Sequence, residues 1–461
     1  MTVGGESASD LVVIGGGAGG MTAASRARRL RPDWRITVFE RGDYVSFILC
    51  GLPYYVDDVI ASHESLIVYT PEFFQKERRI EVHTGHEVRR IDHERRLLEV
   101  TDLRAGRAFS WGYGKLVVAT GAEAVRPKLE GIDLGNVFVL RTIDDGRSIK
   151  AAVQEGGLRH AVIIGAGYVG VEMAEALTEA GLETVLIEAT ANVLPGMGPE
   201  IGEVVEQELV EHGVHLRKEE MAQRLEGGER VERVVASVGE YPADIVIVSV
   251  GARPAVALLG EAGTALGPTG AVATNERMET NLPGVYAAGD VAESRHLVSG
   301  QAAWVALGTT ANKQGRVAGE NAAGGDAVFQ GIVGTAAVKV FGLEVARTGL
   351  TEAQAREAGF DPVGVTIEHP SHAKYYPRAT PLRVKLVADR QDGRLLGGQI
   401  VGREAAAKRL DVLAAALHAR MDMQDIAALD LSYAPPFATA WEAVQIAAQQ
   451  VMSELQRRKR S

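Results

Sequence analysis

The chain has 461 residues, of which 46% are hydrophobic and 24% charged. That balance excludes disorder, a fibrous repeat and a membrane protein. Sixty acidic against 49 basic residues give a net charge of −11, which argues against nucleic-acid binding. At roughly 150 residues per domain the length predicts about three domains. No run reaches the ~18 apolar residues that span a bilayer. Residues 11–25 are too rich in glycine for a signal segment, and Glu6 and Asp10 precede them where a signal carries positive charge. A cytoplasmic protein with no membrane partner is expected. Two residue types are out of proportion: 53 glycines and one cysteine, Cys50. One cysteine excludes an intrachain disulfide, a C-x-x-C pair and any thiolate-built metal site.

In chain order, the first elements form a β-α-β unit. An apolar β-run at 11–14 leads into Gly15-Gly-Gly-Ala-Gly-Gly, then a helical segment at 21–30 and a β-run at 36–39 that ends at Glu40. The same order returns about 150 residues later. There the β-run 161–164 leads into Gly165-Ala-Gly-Tyr-Val-Gly, a helix at 171–180 and a β-run at 184–187 ending at Glu188. Both loops read G-x-G-x-x-G: Gly15, Gly17, Gly20 and Gly165, Gly167, Gly170. The first glycine makes a tight turn, the second admits a pyrophosphate and the third lets helix and strand pack closely. The phosphates then rest on the positive end of the helix. An acid some 20 residues on suits a ribose diol, which casts Glu40 and Glu188 as ribose ligands. The repeated unit predicts two dinucleotide sites.

Further along, β-runs end in small-residue turns at Thr120-Gly121 and at Gly251, and another delivers Gly289-Asp290, suited to a polyol hydroxyl. A helix is predicted at 308–320. Beyond it, β-runs at 336–341, 382–387 and 396–401 precede helices at 404–419, 424–429 and 440–456. The basic run Arg457-Arg458-Lys459-Arg460 reads as a frayed, solvated tail. The eleven histidines show no metal-ligand spacing, so no metal is expected.

On these motifs the sequence resembles the flavoprotein disulfide reductases, the pyridine nucleotide–disulfide oxidoreductases, over nearly the whole chain. The resemblance implies an α/β fold: two Rossmann-like dinucleotide-binding domains in a glutathione-reductase-like arrangement, plus a C-terminal α+β dimerisation domain. It implies a split FAD domain at 8–125 and 253–330, an NAD(P)H domain at 145–252 and a dimerisation domain at 331–461. FAD would lie on Gly15, Gly17, Gly20, Glu40, Arg41, Thr120, Gly121, Gly289 and Asp290, with Asp290 on the ribityl chain. The helix at 308–320 would point its N-terminus at the flavin. NAD(P)H would lie on Gly165, Gly167, Gly170, Glu188 and Gly251.

The stretch Ser46-Phe-Ile-Leu-Cys50 carries the chemistry that the resemblance implies. Two-cysteine members have a C-x4-C pair here, whereas this chain has Val45 in place of the partner. It therefore resembles the single-cysteine branch of coenzyme A-disulfide reductases, polysulfide reductases, NADH oxidases and NADH peroxidases. A lone sulfur forms either a mixed disulfide or a sulfenic acid. Cys50 is expected at a helix N-terminus, where the dipole lowers a thiol pKa. The oxidase and peroxidase members carry a histidine where this chain has Ala18, which favours the mixed disulfide. The coenzyme A-disulfide reductases supply two tyrosines from the neighbouring subunit, matched here by Tyr375 and Tyr433. Tyr376 competes with Tyr375 for the first place. Arg29 and Ser46 match the coenzyme A pocket, while Leu49 replaces the branch's asparagine. Arg26 and Arg29 share a helix face.

The expected protein is an FAD-dependent NAD(P)H:disulfide oxidoreductase, a homodimer acting on coenzyme A disulfide or its mixed disulfides. Polysulfide or persulfide reductase and NADH oxidase are the alternatives within enzymes, and an NADH- and flavin-dependent redox sensor is the alternative outside them. Glu188 is followed by Ala189-Thr190 with no arginine close in sequence, so NADH is expected over NADPH.

Overall fold

The first strand begins four residues before its apolar run. In the computed structural model, which describes residues 7–459, β1 is Ser7–Ile14. The polar Ser9 is tolerated inside because its hydroxyl meets Thr37 Oγ1 at 2.8 Å and accepts from Trp111 Nε1 at 3.1 Å. From β1 the chain enters α1 (Ala18–Leu30) and returns as β2 (Ile36–Glu40). A short turn at Leu49–Gly51 leads into α2 (Leu52–Val56). Strands β3 (Glu81–Thr84), β4 (His86–Asp92), β5 (Leu97–Asp102) and β6 (Arg107–Val118) complete the outer order β3-β2-β1-β6-β5-β4. The β3-β2-β1-β6 part is parallel. Leu11, Val12, Val13, Leu116 and Val117 are fully buried at its centre.

After α3 (Ile143–Gln154), the second unit repeats the pattern as β7 (His160–Ile164), α4 (Tyr168–Glu179) and β8 (Glu183–Ile187). Helix α5 (Pro199–Glu211), β9 (His215–Arg217) and β10 (Ile245–Val248) follow. Together with Val137–Phe138, these strands form a parallel sheet of five. The chain then rejoins the first sheet, where Val285–Ala287 pairs parallel with β6. Helix α6 (Gly308–Ala322) packs along α1. A side chain at Gly315 or Gly319 would run into the α1 backbone at Gly19 or Ala23, so glycine permits that crossing.

The C-terminal sheet is antiparallel: β11 (Ala336–Val340), β12 (Leu343–Gly349), β13 (Pro362–Pro370), β14 (Pro381–Asp389) and β15 (Leu395–Gly402), ordered β11-β12-β15-β14-β13. Strands β12 and β13 were not expected from the sequence. β13 is bounded by prolines at both ends and alternates only weakly, which an edge strand allows. Helices α7 (Ala406–His418), α8 (Met423–Ala427) and α9 (Ala443–Lys459) follow. The backbone is helical through Lys459, so the basic run from Arg457 to Lys459 is not a frayed tail; Arg460 lies outside the described residues.

Ion pairs lock the second unit onto the third. Buried Lys385 on β14 reaches Glu200 of α5 and Glu352, each at 2.8 Å. Glu208 of α5 accepts from Arg403 at the end of β15. Among the described residues no helix is long and apolar enough to cross a membrane.

Candidate active site

The two glycine loops are near copies in three dimensions. Gly15 and Gly165 both have φ of +102°, a left-handed conformation open to glycine. A methyl at Gly20 or Gly170 would strike the carbonyl of the loop's own first glycine. A methyl at Gly17 or Gly167 would meet nothing within 4 Å. These two glycines cap α1 and α4, and neither helix has a side-chain cap or an acid in its first turn. The free amides therefore face open space, the environment a pyrophosphate needs.

Glu40 and Glu188 lie at the loops but also brace them. Glu40 accepts from Gly16 N at 2.6 Å and from Gly42 N at 2.7 Å. Glu188 accepts from Ala166 N, Thr190 N and Thr190 Oγ1, each at 2.8 Å. A carboxylate has about four acceptor sites, so ribose hydroxyls still find partners there. The sequence showed no arginine near Glu188, yet Arg217 is adjacent in space and its carbonyl accepts from Glu188 N at 2.8 Å. Its guanidinium lies 5.7 Å from the Tyr241 ring.

Asp290 follows Gly289, whose φ is +81°. Its Oδ2 accepts from Arg141 at 2.6 Å, and Arg141 Nε also donates to Ala122 O at 3.2 Å. Arg141 lies in a connecting segment with no motif, so sequence reasoning missed it. Thr120 donates to Ala255 O at 3.0 Å, beside Gly121 with φ of +74°. Gly251, with φ of +108°, closes the corresponding turn of the second unit. Arg41 is largely exposed, 4.0 Å from Glu87.

Cys50 sits in the Leu49–Gly51 turn. Ser46 anchors the segment: it adopts a left-handed φ of 51°, its N–H donates to Gly16 O at 2.8 Å and its carbonyl accepts from Val68 N at 2.9 Å. The expected lowering of the thiol pKa is not found. Cys50 keeps solvent-accessible surface, but the walls around the sulfur strip enough water to push its pKa up. The Glu172 carboxylate adds to the rise and Arg141 opposes it. The following helix has five residues, too short for its dipole to outweigh these effects.

Arg29 and Ser46 line one cavity of about 460 Å³ together with Ala18, Arg26, Arg78 and Ile48. Arg26 is held by Glu320 at 2.6 Å. Arg78 donates to Ser25 Oγ at 2.6 Å and stacks over Tyr69 and Phe74. Arg316, which sequence reasoning missed, adds a further cation from α6.

The two tyrosines meet. Tyr375 and Tyr433 hydroxyls are 3.1 Å apart on an exposed face. Tyr376 instead turns its ring against buried His372, centroids 5.6 Å apart. The same stretch of chain exposes Phe437 at 76% and Trp441 at 59%, the kind of aromatic surface that an interface covers.

Residues 9–317 match the family model of pyridine nucleotide-disulphide oxidoreductases, and residues 335–444 match the dimerisation domain of that family. The chain belongs to the pyridine nucleotide-disulphide oxidoreductases. FAD and NAD(P)H are the cofactors of this family. The oxidoreductase is 40% identical over 433 residues to the NAD(P)H coenzyme A polysulfide/persulfide reductase of Pyrococcus horikoshii, covering 94% of this chain and 96% of that one. It is 34% identical over 445 residues to an NADH oxidase of Methanocaldococcus jannaschii, covering 96% and 99%. Its fold matches reduced Bacillus anthracis CoADR-RHD with a TM-score of 0.94 and 34% identity, over 97% of this chain and 81% of that one.

Around Cys50 the oxidoreductase holds further groups without a sequence signature. Tyr54 donates to Glu172 Oε1 at 3.1 Å. Buried Lys150 of α3 donates to Tyr55 O at 2.7 Å and pairs with Asp58 at 2.6 Å, fixing the far end of α2. An i+4 reading from Cys50 would have reached Tyr54; nothing in the sequence would have singled out Lys150.

Proposed function

We propose that this oxidoreductase uses NADH and FAD to reduce coenzyme A disulfide, or mixed disulfides of coenzyme A, through Cys50. One observation carries the reading: the cavity that holds Arg29 and Ser46 extends to Ile48, two residues from the lone sulfur. A thiol with a polyphosphate tail fits that layout, its anionic end toward the arginines and its sulfur toward Cys50. Residues 8–125 and 253–330 are assigned to FAD, 145–252 to the nicotinamide nucleotide and 331–461 to homodimer formation. Bound FAD supplies two-electron transfer between the nicotinamide and the cysteine sulfur.

Cys50 thiolate attacks one sulfur of the disulfide, forming a Cys50–S–S–CoA bond as the old bond breaks and a thiolate leaves. Tyr375 and Tyr433 of the second subunit give that thiolate a proton, a task suited to phenols. Two electrons then cleave the mixed disulfide, freeing the second thiol and restoring Cys50. Glu188 beside the ribose site disfavours a 2′-phosphate.

Reduction of polysulfides or persulfides is the second reading. Apolar Leu49 next to Cys50 and the 40% identity to the Pyrococcus horikoshii enzyme favour it. Against oxygen reduction stands Ala18, which brings no acid–base group to the cavity. Anaerobic NADH consumption with coenzyme A disulfide, polysulfide, glutathione disulfide and peroxide in parallel tests the assignment. Fastest turnover with coenzyme A disulfide is expected. Turnover only after oxygen is admitted would establish the oxidase instead.

A further inference from the structure

Tyr375 and Tyr433 sit on segments that form neither helix nor strand, so other contacts must fix them. Tyr375 lies between β13 and β14, and Tyr433 lies between α8 and α9. Both segments converge on Arg409 of α7, which is buried. One of its nitrogens, Nη2, donates to Ser371 O at 2.5 Å and to Phe437 O at 2.8 Å. Ser371 stands four residues before Tyr375, and Phe437 four residues after Tyr433. A single guanidinium thus ties together the two stretches that carry the phenols.

The surroundings hold this tie in place. Arg409 Nε donates to buried Glu442, whose second carboxylate oxygen accepts from Val444 N at 2.7 Å at the start of α9. Ala373 N donates to Pro435 O at 3.3 Å, a second link between the segments. Ser371 and His372 close their own loop. Thr380 N donates to Ser371 Oγ at 3.1 Å, and His372 Nε2 lies 3.2 Å from Pro377 O. Arg409 Nη1, by contrast, is buried with no hydrogen-bond partner among the described residues. A buried ion pair with an orphaned donor is a poor device for stability. Its place between two carbonyls points to another use.

We propose that Arg409 is a positioning residue for the Tyr375–Tyr433 pair: by holding Ser371 O and Phe437 O on one nitrogen, it sets how the two hydroxyls meet. The proposal rests on the reading that these phenols protonate the departing thiolate. Arginine suits the task because its planar fork meets the carboxylate and the carbonyls in fixed directions, which a lysine ammonium does not. A donor displaced by about 1 Å costs up to roughly a hundredfold in rate.

The test is a double-mutant cycle on the FAD-loaded dimer, read as kcat for NADH-driven reduction of coenzyme A disulfide. Arg409→Lys keeps a charge for Glu442 and loses the fork. In the wild-type background it should lower kcat by roughly tenfold. In the Tyr375→Phe/Tyr433→Phe background it should change kcat by less than about twofold, because no phenol is left to misplace. Flavin reduction by NADH, followed by stopped-flow absorbance, needs no phenol and should be unmoved by Arg409→Lys. Should Arg409→Lys fail to retain FAD, Arg409→Met combined with Glu442→Leu takes its place, since apolar side chains often replace a buried ion pair without loss of stability. No loss in the wild-type background, or an equal loss in both, would overturn the role of Arg409 and leave that of the phenols standing. Unchanged kcat in Tyr375→Phe/Tyr433→Phe itself would overturn the phenol reading, and the positioning role with it.

Discussion

The hydroxyl oxygens of Tyr375 and Tyr433 lie 3.1 Å apart across 58 residues of chain. Their hydrogen bond pushes the Tyr375 pKa up, so this phenol remains a proton donor throughout the neutral range. Two phenols in one hydrogen bond act as a unit, and their removal is not additive. Tyr375→Phe and Tyr433→Phe should each lower kcat for disulfide reduction by about tenfold to a hundredfold. The double variant should lose little more than the worse single one. Steady-state kinetics of the three variants decides: losses that multiply would mean the two rings work separately.

Cys50 is the chain's only cysteine, two residues from Ile48 in the wall of the Arg29 cavity. Cys50→Ser should abolish disulfide reduction, because a hydroxyl is a poor nucleophile at its ordinary pKa. FAD should stay bound, since none of the glycine-loop contacts involves the thiol. Retained turnover beside normal flavin absorbance would remove Cys50 from the mechanism.

At the nucleotide end, Glu188 is fixed by three hydrogen bonds at the tip of β8. A 2′-phosphate beside it meets a like charge, at a cost of about 1–2 kcal/mol in a half-wet site. NADH should therefore exceed NADPH in kcat/KM by roughly tenfold or more. Arg217 is a cation close enough in the fold to reverse this, but its guanidinium lies on Tyr241. Arg217→Ala should leave the ratio unchanged. Equal kcat/KM for the two nucleotides would show that Arg217 or another cation swings over to the phosphate.

Features written in local sequence were legible, and those made by packing were not. Gly15, Gly17 and Gly20 announce their turn because each position excludes a side chain or must admit a phosphate. The C-terminal helices were placed within three residues of where they lie, since their apolar spacing survives in any context. β13 was invisible because it is an edge strand whose pattern burial does not enforce, and β12, inside the sheet, is mostly buried without clean alternation. Cys50 lies at the start of a helical turn, as the sequence suggested, but its thiol pKa is raised and not lowered. The dipole argument needs a long helix; burial overrides it, and Glu172, which adds to the rise, is 122 residues away in the chain. Arg141 was missed for the same reason: it acquires its meaning only when Asp290 folds against it.

Glu172 also sets a pH dependence of stability. Its carboxyl ionises near 7 in the folded protein and near the ordinary 4.3 when unfolded. Between those values the native state binds more protons than the unfolded state, so stability falls as pH rises. The loss is complete above pH 7 and reaches about 4 kcal/mol at most. Glu172→Gln keeps the hydrogen bond to Tyr54 and removes the charge. Its melting temperature should exceed that of the wild type at pH 8, and the two should converge toward pH 5. Differential scanning calorimetry of the FAD-loaded proteins at both pH values checks this. A gap that widens on acidification would mean that the folded protein prefers Glu172 charged, with a cation such as Lys339 turned toward it.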